Sequence, residues 1–264
     1  MDRDYRIAAV DRALSVLEAL ADHPGQGVTE LAERLGMTKS LVFRILHTLE
    51  ARGYVARDPE RASYGLGYRS WVLGERSSRQ TALLQVALPE MDALRDATSE
   101  NVNLVLREGD RSLVLATREG RHHMRLFAQA GRRGPLHAGG GSMLLLAYAP
   151  EALREAVITG PLTRFTPRTI TDPDALRRVL GRIRAQGWHI AQDDLDEGAF
   201  SVAAPIRGHD GEVIAAISVA GALARFDEER RLSHLAAVRA AAARISARLG
   251  AAPAADAEPR AQAS

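Results

Sequence analysis

The sequence contains no cysteine, a single lysine and no long apolar run. Without cysteine the chain has no disulfide bond, no thiolate nucleophile and no cysteine-ligated zinc or iron–sulfur centre. No run approaches the roughly 18 apolar residues of a membrane span, and Met1-Asp2-Arg3-Asp4 opens no signal peptide. We therefore expect a cytoplasmic protein that does not enter a membrane.

The formal net charge of +2 is too small to indicate a partner, but the charges are unevenly distributed. Residues 1–33 carry seven acidic residues against three arginines, whereas residues 34–69 carry seven basic residues against three acidic ones. The only lysine, Lys39, lies in the basic half. A surface that faces phosphate groups needs such an asymmetry, although a surface helix with scattered charge would look similar.

A length of 264 residues favours two domains, each large enough to bury its own core. An apolar content of 46% and a charged content of 26% are ordinary for a globular chain. From the pattern along the chain we predict two domains, at residues 1–67 and 81–249, joined by a linker helix at 68–80 and followed by a disordered tail at 250–264.

The stretch from Thr29 to Tyr64 predicts a winged helix-turn-helix. Gly36 lies where the turn between two helices needs a positive φ, and Ala32 is small where the helices cross. Thr38 is placed to cap the second helix. A β-hairpin follows, with its turn at residues 58–61. The second helix of such a motif fits the major groove of B-DNA, although small helical bundles of this pattern also serve as protein-interaction modules.

The residues of this motif that face outward are the predicted DNA contacts. Lys39 and Ser40 would bind phosphates, and Arg44 would read a guanine edge. Phe43 would either touch a thymine methyl group or belong to the core. The full predicted set is Thr38, Lys39, Ser40, Phe43, Arg44 and His47 in the helix, with Arg57 and Arg61 in the wing.

The remainder of the chain predicts a second domain of the α+β class. After a helix at residues 68–78, a longer one is expected at residues 83–97, where Pro89 predicts a kink or a restart. Antiparallel strands are expected from Asn101, including one from Met124 to Ala128, and again from Trp188. Between them lie helices at 143–148, 151–159 and 173–186, and a last helix closes the domain at 227–249.

Three consecutive glycines, Gly139 to Gly141, precede the apolar helix that begins at Met143. Their N–H groups would lie at a helix N-terminus, where a carboxylate or phosphate is attracted. The segment matches neither a dinucleotide-binding fingerprint nor a P-loop. The alternative is a turn whose glycines let strand and helix pack closely.

From about Tyr5 to Leu249 the sequence resembles the IclR-type bacterial transcriptional regulators. Three motifs carry this resemblance, and their order and spacing match as well. They are Leu35-Gly36-Met37-Thr38-Lys39-Ser40 through Leu49-Glu50-Ala51-Arg52-Gly53-Tyr54-Val55, Pro135-Leu136-His137-Ala138, and Gly187-Trp188 through Glu197-Gly198 with Ala203-Ala204-Pro205-Ile206 and Ala215-Ala216-Ile217-Ser218-Val219.

The resemblance implies a winged helix-turn-helix, a linker helix and a GAF-like domain that binds a small organic effector, often a carboxylate or aromatic acid. It implies homodimers or homotetramers on palindromic operator DNA, with no cofactor. Carried over by position, the effector site comprises Met124, Leu126, Gly140, Gly141, Ser201 and Ser218.

The sequence departs from the family pattern at several positions of this site. Where the family usually has threonine or serine after Ala138, and then a Gly-Lys pair, this chain has Gly139 to Met143. A frequent acidic residue falls at Ala191, a cysteine becomes Ser201, and a second serine becomes Ala220. The pocket is therefore less polar than usual, which argues against a keto-acid such as glyoxylate.

Three other functions are alternatives to this one. An enzyme with a Ser-His-Asp set is disfavoured because no G-x-S-x-G elbow accompanies any serine. A metal site at His122-His123 is disfavoured because neighbours in a strand point to opposite faces. A DNA-binding dimer without any ligand remains open.

Overall fold

The computed structural model describes residues 7–122 and 129–252, and the chain divides into two compact units, residues 1–81 and 82–264. The predicted strand from Met124 to Ala128 lies outside the described residues. Among those residues, no helix is long and apolar enough to cross a membrane.

The N-terminal unit is a winged helix-turn-helix, as predicted. Its elements are α1 (Ala8–Asp22), α2 (Val28–Leu35), α3 (Lys39–Ala51), β1 (Val55–Asp58), β2 (Ser63–Leu66) and α4 (Tyr68–Gln80). The two strands pair antiparallel and form the wing. Apolar residues of α1, α2 and α3 are fully buried together, among them Leu20, Leu31 and Leu46, because each helix turns one apolar face inward.

The turn between α2 and α3 has the predicted chemistry. Gly36 adopts φ 62° and ends α2, which a residue with a side chain does only at a cost. The hydroxyl of Thr38 accepts the N–H of Leu41 at 3.4 Å and caps α3. Local sequence therefore sets the angle at which α3 leaves the turn.

The C-terminal unit is α+β, also as predicted. Its elements are α5 (Ala82–Thr98), β3 (Asn101–Glu108), β4 (Arg111–Arg118), β5 (Arg133–Pro135), α6 (Gly140–Ala147), α7 (Glu151–Thr159), α8 (Pro173–Gln186), β6 (His189–Gln192), β7 (Ala199–Arg207), β8 (Val213–Ala222), a 3₁₀ turn (Leu223–Arg225) and α9 (Glu228–Arg248). Within the described residues, the strands form one antiparallel sheet in the order β5-β4-β3-β8-β7-β6.

The two faces of this sheet differ in side-chain size. Leu104 and Ile217 face α5 and α9 in one core. Their neighbours Val105 and Ala216, together with Ala203, face α6 and α8 in a second core. Because successive strand residues point to opposite faces, the small residues Ala203 and Ala216 share one face of the sheet. That side lets α6 approach the sheet closely.

Three details differ from the sequence-based expectation. The restart predicted at Pro89 is wrong, because α5 continues through it as one helix. Helix α6 begins at Gly140 and not at Met143, since glycines can adopt helical angles once the sheet supports them. Strand β5 was not among the predicted strands, and it is only three residues long.

Candidate nucleic-acid interface and ligand cavity

The predicted DNA contacts of α3 lie on its solvent face. Lys39, Ser40, Arg44 and His47 are exposed, whereas Val42, Leu46 and Leu49 on the opposite face are buried. Phe43 is 53% exposed, so its alternative assignment to the core is wrong. Its ring stacks on that of His47, with centroids 6.4 Å apart. The helix therefore presents two cations and an aromatic pair to solvent.

The wing presents the other two predicted contacts. Arg57 is exposed on β1, and the side chain of Arg61 is 84% exposed in the hairpin loop. Asp58 shapes that loop, because its Oδ1 accepts the N–H groups of Glu60 and Arg61 at 3.0 and 3.3 Å. The Arg61 guanidinium lies 4.0 Å from the same carboxylate. An exposed pair at that distance holds the arginine only weakly.

The C-terminal unit contains a cavity of about 680 Å³, within the size range of small-molecule sites. The four predicted effector residues that the structure describes all line it, namely Gly140, Gly141, Ser201 and Ser218. The other two, Met124 and Leu126, lie outside the described residues. Apolar side chains supply much of the wall, including Leu136, Val157 and Phe165.

The residues at the N-terminus of α6, Gly139 to Ser142, line this cavity. Gly139 precedes the helix with φ 87° and supplies no side-chain cap. The N–H groups of Gly140, Gly141 and Ser142 belong to the first turn and have no acceptor among the described residues. Such N–H groups, together with the helix dipole, favour an anion.

The glycines of α6 also serve close packing. A Cβ atom at Gly140 would lie 2.6 Å from the Oγ and 3.0 Å from the carbonyl oxygen of Ser201. At Gly141 it would lie 3.2 Å from Val105 Cγ2. The sequence left open a donor function or a packing function for these glycines, and the structure is compatible with both.

Asp194 is a cavity residue that the sequence did not single out as a ligand contact. Its Oδ2 accepts the N–H of Gly139 at 2.8 Å. Burial raises the pKa of this carboxyl group, although the N–H groups of Gly139, Asp194 and Leu195 lower it. Thr169 stabilises this loop, because its hydroxyl donates to the Asp194 carbonyl oxygen at 2.7 Å. Local sequence patterns could not show this contact, because Asp194 and Gly139 are 55 residues apart in the chain.

The two arginines of the preceding loop, Arg132 and Arg133, line the cavity as well. Arg133 Nε lies 2.6 Å from Glu108 Oε2, and both side chains are about half exposed. A carboxylate of the protein therefore already engages Arg133.

The enzyme and metal alternatives gain no support within residues 7–122 and 129–252. His137 Nε2 contacts the carbonyl oxygen of Thr163 at 2.9 Å, and His189 Nε2 is buried without a partner in that part of the chain. Neither histidine pairs with a serine there. The same residues include no group of three potential metal ligands, and His123, one of the two histidines considered for a metal site, lies outside them.

Known proteins match both units. Residues 9–59 match the family model for the IclR helix-turn-helix domain, and residues 76–247 match the model for the C-terminal domain of the bacterial transcriptional regulator IclR. The chain is 38% identical over 256 residues to the HTH-type transcriptional regulator BhcR of Paracoccus denitrificans, covering 97% of this chain and 91% of that protein. It is 32% identical over 245 residues to KdgR of Escherichia coli, covering 92% and 93%.

Solved structures are similar over the same length. An IclR transcriptional regulator from Alicyclobacillus acidocaldarius superimposes with a TM-score of 0.88 at 28% identity, covering 93% of this chain and 100% of that one. An IclR homologue from Microbacterium hydrocarbonoxydans, complexed with 4-hydroxybenzoate, has a TM-score of 0.82 at 31% identity, covering 91% and 98%.

Proposed function

Because the chain belongs to the IclR family of bacterial transcriptional regulators, we propose that a small organic acid in the cavity of the C-terminal unit controls its binding to operator DNA. The chain is a regulator with a helix-turn-helix DNA-binding domain, and its relatives are named as regulators, not as enzymes. The proposal concerns the ligand, the residues that contact DNA and the form of the operator.

One observation carries the ligand proposal: Gly140, Gly141 and Ser142, which form the first turn of α6, all line a cavity of about 680 Å³. A carboxylate binds the N–H groups of a first helical turn through charge-assisted hydrogen bonds. The remaining wall is largely apolar, which suits the body of an acid larger than glyoxylate. The 4-hydroxybenzoate complex of the Microbacterium homologue supports an aromatic acid as the first class to test.

For DNA, the proposed contacts are the exposed residues of α3 and the wing. Lys39 and Ser40 would bind phosphates, Arg44 would read a base edge, and Arg57 and Arg61 would bind the backbone or the minor groove. A homodimer or homotetramer would match a palindromic operator, with half-sites about 34 Å apart. Differential affinity of the acid for two protein conformations would change DNA binding.

The test combines two measurements on the full-length protein. Binding to DNA fragments from upstream of its own gene is measured by fluorescence anisotropy at low salt, with and without benzoate or 4-hydroxybenzoate. Thermal unfolding is measured with the same acids, since a ligand that binds only the native state raises the midpoint. We expect a raised midpoint and altered DNA affinity with at least one acid.

The alternative, a DNA-binding dimer without a small-molecule ligand, predicts another result. DNA binding would then be retained while neither acid changes the midpoint or the affinity. That outcome would overturn the ligand proposal and leave the DNA-binding function intact.

A further inference from the structure

Two polar residues form a pair on the sheet that floors the cavity. Asn103 on β3 and Ser218 on β8 are direct partners across the two strands. They lie on the same face as Val105 and Ala216, the face that packs against α6. Both line the cavity, and both are more than nine-tenths buried, with exposures of 7% and 3%.

The hydrogen bonds of this pair are incomplete. Thr117 donates to Asn103 Oδ1 at 3.1 Å, which fixes the orientation of the amide and leaves Nδ2 as its remaining donor. Neither Asn103 Nδ2 nor Ser218 Oγ has a hydrogen-bond partner among the described residues.

Other buried polar side chains of the cavity are paired. Ser142 donates to Ser112 at 2.9 Å, and Ser112 reaches the carbonyl of Pro135 at 3.4 Å. Asn103 and Ser218 both line the cavity, and their two polar groups have no partner within residues 7–122 and 129–252, so a ligand atom in the cavity could satisfy both.

The pair lies close to the N-terminus of α6. Gly141 approaches Val105 so closely that a Cβ on the glycine would lie 3.2 Å from Val105 Cγ2. Asn103 is the next residue on that face of β3, about 7 Å along the strand. An acid whose carboxylate binds the N–H groups of α6 therefore places a second polar group next to Asn103 when a benzene ring or a short chain separates the two groups.

We propose that Asn103 and Ser218 together bind a second, uncharged oxygen atom of the effector, which is a hydroxyl or carbonyl oxygen remote from the carboxylate. This inference rests on the proposed function. Asn103 Nδ2 can only donate, whereas the serine hydroxyl either donates or accepts. A hydroxyl oxygen would accept from Asn103 and donate to Ser218, and a carbonyl oxygen would accept from both. Neither side chain carries a charge that would balance a second buried carboxylate.

Two pairs of probes that differ by one oxygen test the assignment. They are benzoate with 4-hydroxybenzoate, and pentanoate with 4-oxopentanoate, each titrated into the full-length protein by calorimetry. One neutral hydrogen bond predicts that the oxygen-bearing acid of at least one pair binds about three- to tenfold more tightly. Asn103→Leu and Ser218→Ala should each reduce that ratio towards one, with little change for the acid that lacks the oxygen.

A third variant separates loss of the donor from general damage to the cavity. Asn103→Asp keeps an acceptor for Thr117 but removes the N–H donor. It should weaken all four acids by charge repulsion, abolish the advantage of the carbonyl and retain part of the advantage of the hydroxyl, which can donate to the carboxylate. Ser233→Ala, the same change as Ser218→Ala on the exposed face of α9, should leave both ratios unchanged.

Failure of this inference is distinguishable from failure of the proposed function. If benzoate or pentanoate binds and the extra oxygen gives no advantage, the assignment of Asn103 and Ser218 is overturned while the proposed function stands. The same holds if the affinity ratio within a pair of acids is unchanged in Asn103→Leu and Ser218→Ala. If none of the four acids binds, the organic-acid proposal itself is overturned, and the assignment of Asn103 and Ser218 falls with it.

Discussion

Asp194 Oδ2 accepts the N–H of Gly139 at 2.8 Å and so brings a carboxylate to the N-terminus of α6. Gly139 is the residue before the helix, and glycine has no side chain with which to cap it. Here the loop after β6 supplies the acceptor, and burial raises the pKa of its carboxyl group. The N–H groups of the first turn, residues 140–142, have no acceptor among the described residues.

Replacing Asp194 should change how stability depends on pH. Its pKa is raised by burial above the ordinary 3.8, so the native state holds a proton that the unfolded state releases. The stability from this group is complete below pH 3.8 and lost as pH rises through the folded-state pKa. Asp194→Asn cannot ionise, so its stability relative to the wild type should improve from pH 4 to pH 7.5. Urea unfolding at both pH values measures this, and a difference that stays constant would refute it.

His189 should destabilise the protein as the solution becomes acidic. Burial, assisted by the charge of Arg182, lowers its pKa from 6.5 to about 4. The unfolded state therefore takes up a proton below pH 6.5 that the native state refuses, and stability falls as pH falls from 6.5 towards 4. The full shift corresponds to at most about 3 kcal/mol.

His189→Leu should remove that dependence of stability on pH. It also removes the buried Nε2 atom, which has no hydrogen-bond partner in the described part of the chain. Chemical unfolding at pH 7.5 and pH 5 compares the variant with wild type, and the same change at exposed His209 is the control. An equal loss of stability on acidification in wild type and His189→Leu would show that other groups dominate.

Two glycines that both lie in helices should respond oppositely to alanine. At Gly140 a Cβ would clash with Ser201, so Gly140→Ala should destabilise the C-terminal unit by about 1–3 kcal/mol. Gly181 in α8 has open space around its Cα, so Gly181→Ala should stabilise by about 0.5–1 kcal/mol. Denaturant unfolding of both variants checks the pair. A gain in stability at Gly140 would mean that α6 does not pack on β7 as described.

Arg44 should contribute to sequence specificity. Arg44→Ala should cost about 1–3 kcal/mol on the preferred DNA fragment and much less on random DNA, because a bidentate contact to guanine is lost. Lys39→Ala, assigned to a phosphate, should weaken both alike. Anisotropy titrations with both DNAs measure the contrast. Equal loss on both DNAs for Arg44→Ala would contradict base recognition.

Arg61 should contribute to affinity without specificity. Its side chain is 84% exposed in the wing, so Arg61→Ala should weaken binding to all DNA sequences. The slope of the logarithm of the binding constant against the logarithm of the salt concentration should fall in magnitude by about one. Titrations over a series of salt concentrations give the slope. Arg239→Ala, which removes an exposed charge from α9, should leave it unchanged. If the Arg61 variant keeps the wild-type slope, the wing does not contact phosphates.

Much of the N-terminal unit followed from short-range patterns. Gly36 and Thr38 are adjacent to the elements that they end and begin, and their conformations were predictable because glycine tolerates positive φ and threonine can cap a helix. The exposed face of α3 followed from helical periodicity. The position of Phe43 required the structure, because an aromatic residue at the edge of an apolar stripe fits either core or surface.

The cavity was only partly predictable. The glycines of α6 were recognisable as donors at a helix N-terminus, and Ser201 and Ser218 came from the resemblance. Asp194 and Asn103 were not selected, because their significance depends on which groups lie opposite them: Gly139 for one, Ser218 and Thr117 for the other.

By itself, the sequence determined the local conformations, the two-unit α+β organisation and the family, because helix periodicity, turn glycines and motif order are properties of neighbouring residues. Only the tertiary structure decided which polar groups of the cavity already have partners and which remain available. Hydrogen bonding across a sheet and between loops joins residues far apart in the chain, and it depends on the register that the folded core imposes.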